Sequence, residues 1–166
     1  ADMLKQLEAR IKDEQVRHME ELGDEMVQKH PGDAATIEAV KKLVDALRTH
    51  ALTKPGGALN SYGTNVLINV LNEAGGLPTR NFTSGRFEGA AKIAGEALAE
   101  GVKKRGGVGM MGHNCSPGCI IKCSNVWPKP DGTEAASCME YESVWALGAD
   151  CGIDNLDDIA EMVTMC

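Results

Sequence analysis

The apolar positions of the first fifty residues fall at helical spacing. Leu4, Leu7 and Ile11, then Met19, Leu22 and Met26, follow intervals of three and four with a slip near Val16, the pattern of an amphipathic helix. Pro31-Gly32 interrupts it, and Asp33 stands where it can cap a second helix. Ile37, Val40, Val44 and Leu47 then repeat at three, four and three. Two such helices joined by a short Pro-Gly turn predict an antiparallel helical hairpin over residues 1–52. Its role is scaffold, or a docking and dimerisation arm. His18, His30 and His50 have no cysteine or clustered carboxylate near them and read as surface residues.

Beyond Lys54-Pro-Gly-Gly57 the pattern changes to short helices between glycine-rich breaks. The apolar stretch Val66–Leu71 has strand length. However, Asn65, Asn69 and Asn72 share one helical stripe and Gly75 suits a helix C-terminus. A helix is therefore predicted from Gly63-Thr64 to Gly75. Leu77–Phe82 reads as an extended loop, since Pro78 disfavours helix at its predecessor. Another helix is predicted from Thr83-Ser84 to Lys104, with Gly89, Ala90, Ala94 and Gly95 suited to close helix packing. Lys103, Lys104 and Arg105 stand at its C-terminus, where the helix dipole favours positive charge, and Gly106-Gly107 ends it. A further helix follows Met139-Glu140, and a last one begins near Asn155. The expected fold is all-α: a multihelical domain over 53–166 with a loop-rich cysteine segment, preceded by the hairpin.

Composition adds constraints. The 166 residues are 43% hydrophobic and 25% charged, with a formal net charge of -7, ordinary for a soluble domain and unsuited to nucleic acid. No run of apolar residues reaches membrane-spanning length, and no charged-then-apolar leader is seen, so a cytoplasmic location without membrane contact is expected. Only 4% of residues are aromatic. The core must then be aliphatic, or be completed against something outside this chain, so exposed apolar surface or self-association is expected. Charge concentrates in residues 1–50, glycine in 55–112, and all six cysteines follow residue 114. No glycine pattern matches a phosphate-binding loop in strand–turn–helix context.

Cys115, Cys119 and Cys123 form C-x3-C-x3-C, with Pro117-Gly118 placed to fold the chain back. Three close thiols with a remote fourth suit a [4Fe-4S] cluster. A structural zinc site is the competing reading and a disulfide framework a third. His113 stands two residues before Cys115, as a neighbour or a ligand. Cys138, Cys151 and Cys166 read as buried small apolar residues. Glu140 and Glu142 bracket Tyr141 where loop meets helix. They serve either as dipole-favoured carboxylates or as an acid/base pair beside a redox centre.

Gly63-Thr64, Gly76-Leu-Pro-Thr-Arg-Asn-Phe82, Gly85-Arg-Phe-Glu-Gly-Ala90, Gly95-Glu96, the cysteine cluster, Glu140-Tyr-Glu-Ser-Val-Trp-Ala-Leu-Gly148 and Cys151-Gly-Ile-Asp154 occur in that order. Together they resemble the second domain of the tungsten-containing aldehyde ferredoxin oxidoreductases, over roughly residues 58–166. The resemblance implies a fragment of a larger oxidoreductase that oxidises aldehydes to carboxylic acids and passes electrons to ferredoxin or electron-transfer subunits. It implies a [4Fe-4S] cluster held by Cys115, Cys119 and Cys123, and a tungsten or molybdenum bis-pterin in the full-length parent. It implies that Glu142 moves a proton at the substrate with Tyr141 beside it, and that Thr79, Arg80 and Asn81 shape the pterin surroundings. N- and C-terminal domains of the parent, including the fourth cluster ligand, would lie outside this chain, and the isolated fragment would be inactive. The family's usual cysteine spacing is C-x2-C-x3-C, so this chain departs from it by one residue. A related branch reduces benzoyl-type coenzyme A thioesters. A helical binding module with a structural zinc site is the reading from another class.

Overall fold

A computed structural model describes residues 34–117 and 119–166. The first arm of the expected hairpin, with Leu4, Leu7, Ile11, Met19, Leu22, Met26, His18 and His30, lies outside the described residues, as do Pro31-Gly32 and Asp33.

Helix α1 (Ala34–Thr49) coincides with the expected second arm. It buries none of its residues, and Val40 and Leu43 are exposed along its apolar face. His50, just beyond it, is also exposed. Thr53 ties the following turn back to the carbonyl of Leu47. Helix α2 (Ala58–Tyr62) follows and ends at Gly63, whose φ of 64° and ψ of -167° lie in a region essentially restricted to glycine. A 3-10 turn, Gly63–Val66, leads into α3 (Leu67–Ala74), which Gly75 closes in the left-handed conformation. The asparagine stripe is engaged in hydrogen bonds within the chain. Asn65 donates to the Met139 carbonyl, Asn69 to Glu96, and Asn72 accepts from the amide of Phe87.

Two sequence expectations change in the next segment. Residues 83–89 are not helical, and helix forms only as α4 (Ala90–Ile93) and α5 (Gly95–Arg105), broken at Ala94 with ψ of 167°. The break lets Gly95 approach Tyr62 so closely that an added Cβ would sit 2.8 Å from the Tyr62 Cβ. The small residues therefore serve a backbone approach and not a long helical seam. Leu77–Phe82 is not extended throughout: Thr79 bridges Ser84, and Arg80, Asn81 and Phe82 all take positive φ, at 49°, 55° and 54°.

The fold is mostly helical but not all-α. Strands β1 (Met110–His113), β2 (Ser124–Pro128) and β3 (Glu134–Ala136) form an antiparallel sheet in the order β1-β2-β3. All five residues of β2 are buried, so it shows no polar/apolar alternation along the sequence. Against β2 lies α5. Gly101 faces the Trp127 indole with no room for a side chain, and the Arg105 guanidinium stacks 4.6 Å from the Trp127 ring. Helix α6 (Tyr141–Leu147), a 3-10 turn (Ala149–Cys151) and α7 (Leu156–Met165) complete the layer, with Asn155 capping α7 through bonds from the amides of Asp157 and Asp158.

The core is aliphatic at its centre. Ile68, Leu77, Ile93, Leu98, Met139, Val144 and Ile159 are fully buried, with Phe87 and Trp127 as its aromatics. Apolar surface remains outside: Leu52, Leu67, Val70, Phe82, Val108, Met110 and Met165 are exposed. Among the described residues no helix is long and apolar enough to cross a membrane.

Candidate functional site

Pairing of β1 with β2 explains how the cysteines are presented. His113 and Ser124 are register partners, so residues 114–123 form the loop at the closed end of a hairpin. Cys115 leaves β1 and is exposed, whereas Cys119 and Cys123 are half-buried and Cys123 enters β2. The amide of Cys119 donates to the carbonyl of Ser116 at 3.2 Å, while Gly118 of the expected Pro117-Gly118 turn lies outside the described residues. All three thiols are free. Burial pushes the Cys123 thiol up, and the nearby charges of Glu140, Cys119 and Cys115 add to the shift. The loop thus carries three soft donors.

The donors are not arranged around a point. Among the described residues no three His, Cys, Asp or Glu side chains could hold a single metal ion. A tetrahedral zinc with bonds of about 2.3 Å would need its sulfurs about 3.8 Å apart. A cluster takes each thiolate on a separate iron corner, hence further apart. Three free thiols on one partly buried loop supply the soft donors that either an iron-sulfur cluster or a zinc site uses. His113 is half-buried in β1.

Glu140, Tyr141 and Glu142 sit at the start of α6. Glu140 is its N-cap residue with β-region backbone, and its own side chain makes no capping bond. The carboxylate lies close enough to Cys123 to disfavour its thiolate. Tyr141 is half-buried, with its ring 6.4 Å from Trp145 one turn on. Burial, then the charge of Glu142, raises its phenol, which keeps it a proton-bearing donor. Glu142 is exposed in the first turn of α6.

Thr79, Arg80 and Asn81 are elsewhere. Their loop docks on the turn after α6: the amides of Arg80 and Asn81 donate to the carbonyls of Ala149 and Asp150 at 3.0 and 2.8 Å, and that of Phe82 to the Asp150 carboxylate at 2.9 Å. Thr79 is fully buried and its hydroxyl donates to Leu77. The Arg80 guanidinium forms a fork with Glu88, lies 5.6 Å from the Phe87 ring centroid and covers Gly152. Its charge is thereby engaged within this chain. Asn81 is exposed. Since α6 spans seven residues, about 10 Å at 1.5 Å per residue, the cysteine loop and the Thr79–Asn81 loop stand at its opposite ends.

The remaining cysteines correct an expectation. Cys138, Cys151 and Cys166 are exposed rather than buried. Cys138 takes a φ of 59° beyond the end of β3, and Cys151 lies in the 3-10 turn after α6. Neither position has core packing to receive a thiol.

Sequence reasoning missed a buried polar knot between the two glutamates and the cysteines. Thr64, Asn65 and Asn125 meet there, and among the described residues the amide oxygens of both asparagines and the hydroxyl of Ser124 have no hydrogen-bond partner. The available signal was the pair of asparagines set in apolar surroundings, Asn65 and Asn125, since a buried amide needs a specific partner.

Comparison with known proteins places the chain. The family pattern for aldehyde ferredoxin oxidoreductase, domains 2 and 3, matches residues 38–166. The tungsten-containing aldehyde ferredoxin oxidoreductase of Pyrococcus horikoshii is 39% identical over 125 residues, covering 75% of this chain and 19% of that protein. The proteins of the same description from Thermococcus kodakarensis and Pyrococcus furiosus are 38% and 39% identical over 127 residues, 76% of this chain and 19% of each relative. The chain spans about one fifth of the length of these relatives.

Proposed function

The chain belongs to the aldehyde ferredoxin oxidoreductase family, and we propose that it supplies the iron-sulfur loop and a proton-handling helix of such an enzyme. Cys115, Cys119 and Cys123 would ligate three corners of a [4Fe-4S] cluster. The observation that carries this reading is the set of three free thiols on one hairpin loop, in a chain that belongs to this family.

A tungsten or molybdenum bis-pterin, held with other domains, would supply two-electron oxidation of the substrate, and the cluster would relay electrons singly to ferredoxin or another electron-transfer partner. The residues of this chain serve that chemistry by position. Glu142, solvent-accessible at the start of α6, would accept the proton released when an aldehyde becomes a carboxylate. Tyr141 keeps its proton and would donate a hydrogen bond beside it. Asn81, which is exposed, would offer its amide to the pterin surroundings, while Thr79 orders the loop from inside and Arg80 fixes it through Glu88.

The test is anaerobic purification of the full-length protein, with iron, sulfide and tungsten determined per chain. Iron and acid-labile sulfide near four each, lowered by Cys119→Ser, are expected for one such cluster. One zinc without iron overturns the reading in favour of a structural zinc site. Assay of aldehydes against aromatic coenzyme A thioesters then decides the substrate class, with aldehyde oxidation expected.

A further inference from the structure

We propose that Thr64 is a positioning residue, through which the turn Gly63–Asn65 locks the last thiol of the cysteine loop and the start of α6 into one rigid unit. The inference rests on the proposed roles of Cys123 and Glu142 and names the device that sets their spacing. Thr64 has a bond on each side. Its amide donates to the carbonyl of Cys123 at 3.1 Å, and its hydroxyl oxygen accepts from the amide of Tyr141 at 2.9 Å. The second bond is the cap that α6 does not make with its own residues, since the Glu140 side chain forms no capping bond. Asn65 and Asn125 brace the same junction by donating to the Met139 carbonyl at 2.6 and 3.1 Å, while the Met139 amide returns a bond to the Asn125 carbonyl at 3.1 Å.

The arrangement is held at a cost. Gly63 takes a glycine-only backbone conformation, and a side chain there would collide with the Asn125 amide and the Cys123 carbonyl. The amide oxygens of Asn65 and Asn125, in fully buried residues, have no partner among the described residues. A fold seeking stability alone would replace such groups with apolar ones. Their presence beside Cys123 and Tyr141 points to positional accuracy as what the knot provides.

The two bonds of Thr64 can be separated, because only one uses the side chain. Thr64→Val keeps the backbone bond to Cys123 and the volume, but removes the acceptor of the Tyr141 amide; Thr64→Ser restores it. In the full-length protein, hydrogen exchange at the Tyr141 amide should quicken roughly fivefold or more in Thr64→Val. Its kcat should fall with KM unchanged and iron and sulfide content retained, and Thr64→Ser should recover both exchange and kcat. Unchanged exchange and kcat in Thr64→Val, or a Thr64→Ser variant as impaired as Thr64→Val, overturns the proposal. If the wild-type protein holds no iron, the cluster reading fails by itself, and the Tyr141 exchange in the two variants still decides whether Thr64 ties the junction.

Discussion

Asp157 receives both arms of the Arg105 guanidinium, at 2.6 and 2.7 Å, and the indole N–H of Trp127 at 2.8 Å. One carboxylate in the first turn of α7 thereby fastens the end of α5 and the middle of β2. Arg105 also donates to the carbonyl of Pro128 at 2.8 Å. The hydrogen bonds from Arg105, opposed by partial burial, and the bond from Trp127 hold the Asp157 carboxyl below its ordinary range.

A group whose folded pKa is depressed stabilises above its unfolded value and loses that contribution as pH falls through the folded one. Asp157→Asn should therefore lower stability at neutral pH by about 1 kcal/mol, allowing for its solvent exposure. The deficit relative to wild type should shrink below about pH 4. Denaturant midpoints measured between neutral and acid pH check this, and a deficit that stays constant across that range contradicts it.

The Arg80–Glu88 fork makes a separate electrostatic prediction. The Arg80 hydrogen bond brings the Glu88 carboxyl down to about 2. In Arg80→Ala it should return to roughly 4.3, read by carboxyl-carbon NMR of glutamate-labelled protein. Loss of the guanidinium also uncovers Gly152 and the Phe87 ring. The run of positive φ at Arg80, Asn81 and Phe82 should then become more susceptible to proteolysis.

Gly63→Ala tests the backbone requirement directly. With φ at 64°, and with no space beside the Asn125 amide and the Cys123 carbonyl, the substitution should cost about 2 kcal/mol or more. It should also reduce iron loading, since the displaced carbonyl belongs to a proposed ligand. Gly106→Ala is the control: its φ is 66°, but its surroundings are open, so a smaller loss with full iron loading is expected.

Glu142→Gln preserves shape and removes the base. Because Glu142 is exposed on a helix that packs through Val144, stability and iron content should not change. The kcat for aldehyde oxidation should drop by about 100-fold or more. Stopped-flow turnover with metal analysis of the same sample separates a chemical defect from a loading defect.

Local signals carried four of the helices. The second arm at Ala34–Thr49, the helix closed by Gly75, the helix after Glu140 and the Asn155-capped last helix all follow from periodicity and caps written in adjacent residues. The sheet did not emerge, because β2 is buried on both faces and its partners are three and four residues long, too short for a period to declare itself. One signal was overlooked: Asp131-Gly132, with Gly132 at φ 82° and Asp131 accepting from Thr133, marks the turn between β2 and β3.

Chemical identity was equally local. C-x3-C-x3-C and Glu-Tyr-Glu are legible as thiols at short spacing and as carboxylates at a helix start, because donor type and sequence separation are properties of the chain itself. What only the tertiary structure decided is how these groups face one another. The cysteines sit at the closed end of a hairpin, Arg80 is committed to Glu88, and Thr64 joins two segments that lie 59 and 77 residues further along the chain. Those relations depend on buried backbone groups finding partners across long separations. The choice is settled by which carbonyl lies within reach when the core closes, and no periodicity of neighbouring residues encodes it.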